Sequence, residues 1–317
     1  MAIKSDEFSK AITLRHLRII TALAEMKLVA RVSESLNVTQ PAVSKQITEL
    51  ERIVGVPVVT RDKNRLYLTA VGIRLAEHAK QVLNQLDRAA FDLEAMASGI
   101  SGSVSIGAVS SVAPTLLPGT ISLFKNNTPN ASVSVTEGHF VGLFPELEAG
   151  LLDLLIARIW QPREIPGIIQ KKMYSEPLVV VTGRNNSLAR TANLVWSDVV
   201  TYPWIMPPAN SVARRAVDAL FAENALTPPG NTISSLSLTL NLEILNAMPA
   251  IGLLPRSLAQ TYASRGEIVT LPLDTRGFLS ETRCFWKAEQ TVANGALALF
   301  LKCLEQTADE LDTIRFT

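Results

Sequence analysis

From Ala70 to Ala97 the chain runs for 28 residues without a proline, and Val71, Leu75, Ala79, Val82, Leu86, Ala89, Leu93 and Met96 mark it at intervals of four and three. A repeat of about 3.5 residues has one backbone solution, an α-helix whose apolar seam stays on one side. At about 1.5 Å per residue that helix spans roughly 40 Å. Lys80, Gln81, Gln85, Asp87 and Arg88 lie between the apolar positions and keep the seam narrow. A narrow seam suits a second helix better than the broad face of a domain, so a homodimer through residues 70–98 is expected, with packing on the chain's own domain as the alternative. A rod of this length divides the 317 residues into a short module before it and a larger body after it, and 317 residues exceed what one core usually sustains.

In the module, Leu14, Leu17, Ile20 and Leu23 recur every three residues and, with Ala24, draw one stripe along a helix that ends near Glu25. Val29, Val32 and Leu36 suggest a second, short helix stopped by Asn37, a residue that tolerates a left-handed turn. Thr39 reads as the N-cap of a third helix reaching about Val54, with Pro41 in its first turn, where a missing amide proton costs little. Val43, Ile47 and Leu50 then point inward and leave Gln40, Pro41, Ser44, Lys45 and Thr48 on the outer face. Val56 to Val59, a polar turn Arg61-Asp62-Lys63-Asn64-Arg65, and Leu66 to Thr69 form a β-hairpin with a basic tip.

Charge separates the module from the body. Ten Lys or Arg against five acids between Thr13 and Leu75 leave +5 there, and with a formal net charge of +1 the other segments sum to −4. A basic module on a slightly acidic body suits a polyanion at one end. Gln pairs with adenine, Lys with guanine and small hydroxyls with phosphate, so the outer face of the third helix has the side chains of a major-groove reader. Any solvated helix face holds such residues; the order, short helices and then a basic hairpin, is what points to double-stranded DNA. Arg61, Lys63 and Arg65 at the hairpin are placed to reach phosphate or the minor groove.

Leu14 to Gly72, and TQPAVSKQITELE within it above all, closely resembles the DNA-binding domain of the LysR-type transcriptional regulators. The resemblance implies a winged helix-turn-helix over residues 12–69, with Thr39, Gln40, Pro41, Ser44 and Lys45 on the recognition helix and Arg61, Lys63 and Arg65 on or beside the wing. The sequence departs from the family pattern in two places: Lys27-Leu28 stands where Gly-Ser is common after the first helix, and Asn64-Arg65 where the wing tip usually has a Gly.

After the small-residue hinge Ser98 to Ser103 the pattern changes to strands alternating with helices. Strands are expected at Val104 to Ala108, Val133 to Val135 and Leu152 to Ala157, with helices at Pro114 to Lys125 and Leu143 to Ala149 between them; this order makes a parallel sheet. A second series runs through Leu178 to Thr182, Trp204 to Met206, Val212 to Glu223, Leu238 to Asn246, Ile251 to Leu254 and Ile268 to Leu271. Two Rossmann-like α/β lobes follow. The LysR resemblance extends more loosely through SGSVSIG, ELEAGLLDLLIA and AIGLLPRSLA, and it implies lobes like those of type 2 periplasmic binding proteins, with an effector in the cleft. Lobe I would take residues 103–176 and 276–317, and lobe II residues 177–275, Arg283 to Trp286 returning the chain to the first.

Ligands of open parallel sheets bind beyond the carboxyl ends of strands. That places Ser110 and Ser111 in the cleft, as effector contacts or as helix caps. Arg158, at the exit of LLIA, is an effector contact or an exposed surface arginine. Pro207, Asn210, Ser211 and Arg214 occupy the equivalent exit in lobe II, and Phe140 and Val141 form an apolar wall or part of a core. Serines with arginines suit a small carboxylate or a sugar-like metabolite.

An enzyme is not expected, because no GxSxG, GxxxxGK[ST], HExxH or GxGxxG occurs. Cys284 and Cys303 read as reduced, packed thiols, and His16, His78 and His139 are too scattered to hold a metal. No cofactor is expected beyond the effector. No segment has the roughly 18 apolar residues of a membrane span, and MAIKSDEFSK has no signal-like apolar region, so a cytoplasmic protein without membrane contact is expected. The family resemblance implies a homotetramer on a pseudopalindromic operator and RNA polymerase as a further partner.

Overall fold

The structure is a computed structural model that describes residues 5–62, 65–97, 102–160, 164–209, 211–275, 279–289 and 294–313. It divides into two compact units, one made of Met1–Glu94 with Ala149–Leu151 and the other of Ala95–Glu148 and Leu152–Thr317.

The first unit holds α1 (Ser5–Ala11), α2 (Leu14–Met26), α3 (Val29–Ser35), α4 (Gln40–Val54), β1 (Val59–Asp62), β2 (Arg65–Leu68) and α5 (Ala70–Ala97). Of the stripe on α2, Leu17 and Ile20 join a cluster with Leu50, Val54 and Val58, and Leu23, with Ile19 from outside the stripe, joins Val32, Val43, Ile47 and Leu66 in a second one, whereas Leu14 is exposed. Asn37 does take the left-handed conformation, at φ 51°. So does Lys27, at φ 57°, a conformation that glycine adopts without cost and a residue with a Cβ does not. The strands of the hairpin sit further toward its tip than Val56–Val59 and Leu66–Thr69 had suggested. Pro57 has no N–H for a ladder, and the Val58 and Val59 N–H groups donate to the Glu51 carboxylate at 3.0 and 3.3 Å.

α5 carries two stripes rather than the one read from its period. Ala76 and Ala79 are buried in the module's core, with Leu75 and Leu83 packed beside them. Among the described residues Val71, Val82, Leu86 and Leu93 stay uncovered along one side, at 42, 46, 44 and 67% exposure, and Ile73 is exposed outside that row. Leu75 and Ala79 therefore belong to the module and not to a seam. Gly72 brings the first turn of α5 against the hairpin base, where a Cβ would lie 2.0 Å from the Val58 carbonyl oxygen. The side chain of Met96 lies outside the described residues.

The second unit contains β3 (Ser103–Val109), α6 (Ala113–Asn127), β4 (Ser132–Gly138), α7 (Phe140–Glu148), β5 (Leu154–Ile159), β6 (Ile168–Gly183), α8 (Trp196–Val199), β7 (Trp204–Met206), α9 (Val212–Glu223), β8 (Thr232–Ser234), α10 (Leu238–Ala247), β9 (Ile251–Pro255), α11 (Arg256–Ser264), β10 (Ile268–Thr270), β11 (Leu279–Lys287) and α12 (Gly295–Thr313). The strands form one path, β4-β3-β5-β11-β6-β9-β7-β8, with β10 against β6. β3, β4 and β5 are parallel in lobe I, and β7, β8 and β9 in lobe II. The sheet is mixed rather than wholly parallel, because β6 and β11, which link the lobes, run antiparallel to their neighbours.

β6 is a single strand where the sequence suggested one beginning at Leu178. It pairs with β11 as far as Pro177 and with β9 from Leu178 onward, so the lobe boundary falls inside it. The sequence reading also missed α12, whose Leu297, Phe300, Leu301 and Leu304 close the lobe I core over Leu116, Leu117 and Phe124 of α6. Phe124 and Phe300 meet edge to face at 5.3 Å. Lobe II is built around Trp204, Phe221 and Ile251 on one side of its sheet and Val181, Leu245 and Leu258 on the other.

Candidate nucleic-acid interface and effector cleft

α4 is fixed at both ends by its own sequence. Thr39 is extended at φ −79° and ψ 151°, its hydroxyl accepts from the Ala42 N–H at 3.4 Å, and Gly55 closes the helix in the left-handed conformation at φ 79°. Val43, Ile47, Leu50 and Val54 are buried. Thr39, Gln40, Pro41, Lys45 and Thr48 are exposed and Ser44 is half-buried, so one helix face brings all six together. The Thr48 hydroxyl donates to the Ser44 carbonyl at 3.1 Å and keeps its lone pairs outward. Glu51, three residues on, ties α4 to the base of the hairpin through Val58 and Val59. Arg61 pairs in register with Leu66 and Asp62 with Arg65, while Lys63 lies outside the described residues.

In the second unit, strand register locates the cleft. β5 and β11 run antiparallel, with Ile159 opposite Glu281, and β6 runs antiparallel to β9, with Leu178 opposite Pro255. The carboxyl ends of the parallel strands in each lobe therefore face the crossing point on β6. Ser110 and Ser111 follow β3 there and are half-buried. Neither caps α6, whose N-cap is Val112 with no side-chain hydrogen bond. Phe140 belongs to the core, stacked on Phe144 at 5.2 Å and edge-on to Phe285 at 5.5 Å, whereas Val141 is 83% exposed.

Arg158 is not a surface arginine: its side chain is 6% exposed. Nη2 donates to Glu176 Oε1 at 2.8 Å and to the Ser111 carbonyl at 3.5 Å, and Nη1 donates to the Ser280 hydroxyl at 2.8 Å. Glu176, wholly buried, also accepts from the Ser257 N–H at 2.7 Å and the Ser257 hydroxyl at 3.0 Å. The ion pair thus joins β5, β6 and β11 to the first turn of α11. Two polar atoms beside it, Arg158 Nε and the Thr282 hydroxyl, are buried without a hydrogen-bond partner, and Arg158 and Thr282 are opposite each other in the β5–β11 register. Buried polar atoms are nearly always satisfied, so these two stand out beside the ion pair.

At the lobe II exit, Pro207 and Ser211 are half-buried, and Asn210 lies outside the described residues. Ser211 caps α9, accepting from the Arg214 N–H at 3.0 Å and donating to the Pro208 carbonyl at 2.7 Å. Arg214 turns back along its helix to Asp218, Nε to Oδ1 2.8 Å. Glu176, Ser257 and Ser280 escaped the sequence reading. Their partners lie from 18 to 122 residues away, and no local pattern marks a pair at that distance.

Cys284 and Cys303 are both free and buried, as expected. Among the described residues no group of His, Cys, Asp and Glu is arranged to hold a metal, and no helix is long and apolar enough to cross a membrane.

Two family models match the chain: "Bacterial regulatory helix-turn-helix protein, lysR family" over residues 14–73 and "LysR substrate binding domain" over residues 97–309. The chain is 29% identical over 291 residues to the HTH-type transcriptional regulator GbpR of Azospirillum brasilense, covering 91% of this chain and 85% of that one. It is 26% identical over 300 residues to the HTH-type transcriptional regulator PcaQ of Agrobacterium fabrum, covering 95% and 96%. Among solved structures it is similar to CbnR, a LysR family transcriptional regulator, with a TM-score of 0.69 at 24% identity over 94% of this chain and 99% of that one. Full-length CbnR in complex with its target DNA gives 0.70 at 24% identity over 93% and 100%.

Proposed function

The chain belongs to the LysR family of DNA-binding transcriptional regulators, and we propose that α4 reads a pseudopalindromic operator through Thr39, Gln40, Pro41, Ser44, Lys45 and Thr48. The observation that carries this reading is the division of α4 into a buried face and one exposed polar face at its N-terminal half. That half of a recognition helix is the part that meets base edges in a helix-turn-helix complex. CbnR, which shares the fold, has been solved on its target DNA. Arg61, Lys63 and Arg65 add backbone or minor-groove contacts from the wing. Its relatives are regulators rather than enzymes, and so is this chain.

The protein acts as a homodimer through the uncovered stripe of α5, with dimers pairing into a tetramer that meets RNA polymerase in the cytoplasm. Val82, Leu86 and Leu93 are the support for the dimer, since a solvent-facing apolar row at intervals of four and seven is unusual on a lone helix. Replacing both Leu86 and Leu93 by Glu is expected to leave monomers in sedimentation at concentrations where the unaltered protein is dimeric.

The effector domain holds a small polar metabolite, a carboxylate or a sugar-like compound. The hydroxyls of Ser110 and Ser111, which do not cap α6, and the unsatisfied atoms of Arg158 and Thr282 support it; Pro207, Asn210, Ser211 and Arg214 would contribute from lobe II and Val141 from the rim, with Phe140 packed in the core behind it.

The deciding experiment titrates the full chain against DNA from upstream of its own gene and against random DNA over a salt series. Gln40→Ala is expected to lose about 1–3 kcal/mol of discrimination and little nonspecific affinity. Lys45→Ala is expected to weaken binding, and if it meets phosphate the salt slope falls by about one. Equal binding of both DNAs, with neither substitution having an effect, would remove the operator reading.

A further inference from the structure

α1 precedes residue 14, where the match to the helix-turn-helix family begins, so it lies outside the matched domain. Its place in the structure is specific. α1 packs on α4. Phe8 and Ile12 press, half-buried, on the cluster made by Leu17 and Ile20 of α2, Leu50 and Val54 of α4, and Ala76 and Ala79 of α5. The Ile12 N–H donates to the Phe8 carbonyl at 3.0 Å, so the two side chains sit one helical turn apart and are presented together.

The mechanics of α5 give this packing a consequence. Its first turn is held against the hairpin, where Gly72 meets the Val58 carbonyl. Leu83, eleven residues further and about 16 Å along the axis, also rests against the cluster that Phe8 and Ile12 cover. Beyond it Leu86 and Leu93 are exposed. A long helix fixed near one end magnifies a small tilt at its far end, and the cluster under α1 is the body that resists the tilt.

We propose that α1 is a strut that fixes the angle between the recognition helix α4 and the helix α5, and so sets the half-site separation the protein accepts on DNA. The inference rests on α5 as the dimer helix: in a two-fold dimer the distance between the two α4 helices follows from the angle each makes with α5. Phe8 is a positioning residue here and touches no base.

The test uses the full chain, Phe8→Ala, Phe8→Leu and a chain lacking residues 1–10, titrated by fluorescence anisotropy against operator duplexes with one or two base pairs added or removed between half-sites. The unaltered protein should prefer its native spacing by about tenfold, because one base pair rotates a half-site by a tenth of a helical turn. Phe8→Ala and the truncation should lose about fivefold or more at native spacing while keeping their affinity for altered spacings, which flattens the profile. Their salt slope should stay that of the parent, since no phosphate contact is removed. Phe8→Leu should restore the peak, and it carries the test with Phe8→Ala if the truncated chain does not fold.

Variants whose spacing profile is unchanged, or lowered by one factor at every spacing, would overturn the strut and leave α1 as a stabilising element only. A flat profile in the unaltered protein would instead overturn the dimer reading beneath it, and the strut with it.

Discussion

Positive charge is used in opposite ways by the two units. Lys45 stands on the open face of α4 with its ammonium in solvent. Arg158 is 6% exposed and spends its guanidinium on Glu176, Ser280 and Ser111 inside the effector domain. A charge meant for a polyanion has to remain hydrated and available, at the cost of being screened by salt. A charge sealed in a protein gains strength from low dielectric and becomes costly to leave alone. An arginine near the carboxyl end of a cleft-facing strand is thus not a free cation: Arg158 is held first by the buried acid beside it.

The contrast breaks most visibly at the buried pair. Arg158→Met or Glu176→Gln alone leaves one member of the pair unmatched and is expected to cost about 3–5 kcal/mol in denaturant unfolding of the second unit. Arg158→Met combined with Glu176→Leu should recover much of that loss, and added salt should change none of these values much. A single change costing less than about 1 kcal/mol would mean that the pair is solvated in solution. Lys45→Ala, by contrast, is expected to stay within about 0.5 kcal/mol of the unaltered stability while changing DNA binding.

A smaller effect is expected at Lys27. Its left-handed backbone, φ 57°, costs a side-chain-bearing residue about 1 kcal/mol that glycine avoids, so Lys27→Gly should raise the unfolding free energy of the first unit by roughly that amount. A fall in stability would show that the Lys27 side chain earns its place through contacts.

The smallest effects concern titration. Burial raises the Glu281 carboxyl, but Arg283 at 2.7 Å and Lys172 at 3.5 Å outweigh it and hold the group below its ordinary value. A carboxylate lowered in the folded state adds stability above its unfolded value, about 4.3, and loses that contribution as pH falls through the folded one. Glu281→Gln should therefore trim part of the decline in unfolding temperature between about pH 5 and pH 3 and change little at neutral pH. Cys284 lies at the other extreme. Burial, with Glu305 adding to it and Lys171 opposing, pushes its thiol up to about 12. The native protein should resist alkylation there at neutral pH, reacting only as fast as it unfolds. Rapid labelling of Cys284 in the folded state would contradict its burial.

Where the residues of a site share one element, its sequence made the site legible. The spacing of Val43, Ile47 and Leu50 identified the outer face of α4, because helix period alone decides which side chains face solvent. Ser110, Ser111 and Arg158 were singled out by the same local logic, from where strands were expected to end, and Arg158 lies within β5. Glu176 and Ser257 could not be, since they are brought to Arg158 by β6 and α11, and pairing between distant strands leaves no periodic trace. The stripe on α5 shows a milder limit. Period located the helix correctly but could not tell which of two adjacent rows, Ala76 and Ala79 or Leu86 and Leu93, meets the module. α12 was missed because it follows the return strand β11, outside the alternation on which the lobes had been recognised.

The unbroken course of β6 from Ile168 to Gly183 carries a last consequence. Because the same backbone is hydrogen-bonded into both sheets, the lobes are coupled like the ends of a torsion bar. Any rotation of one lobe against the other would twist a paired strand around Pro177, a deformation shared along its length. Such a spring favours small rotations that reverse once the twist is released.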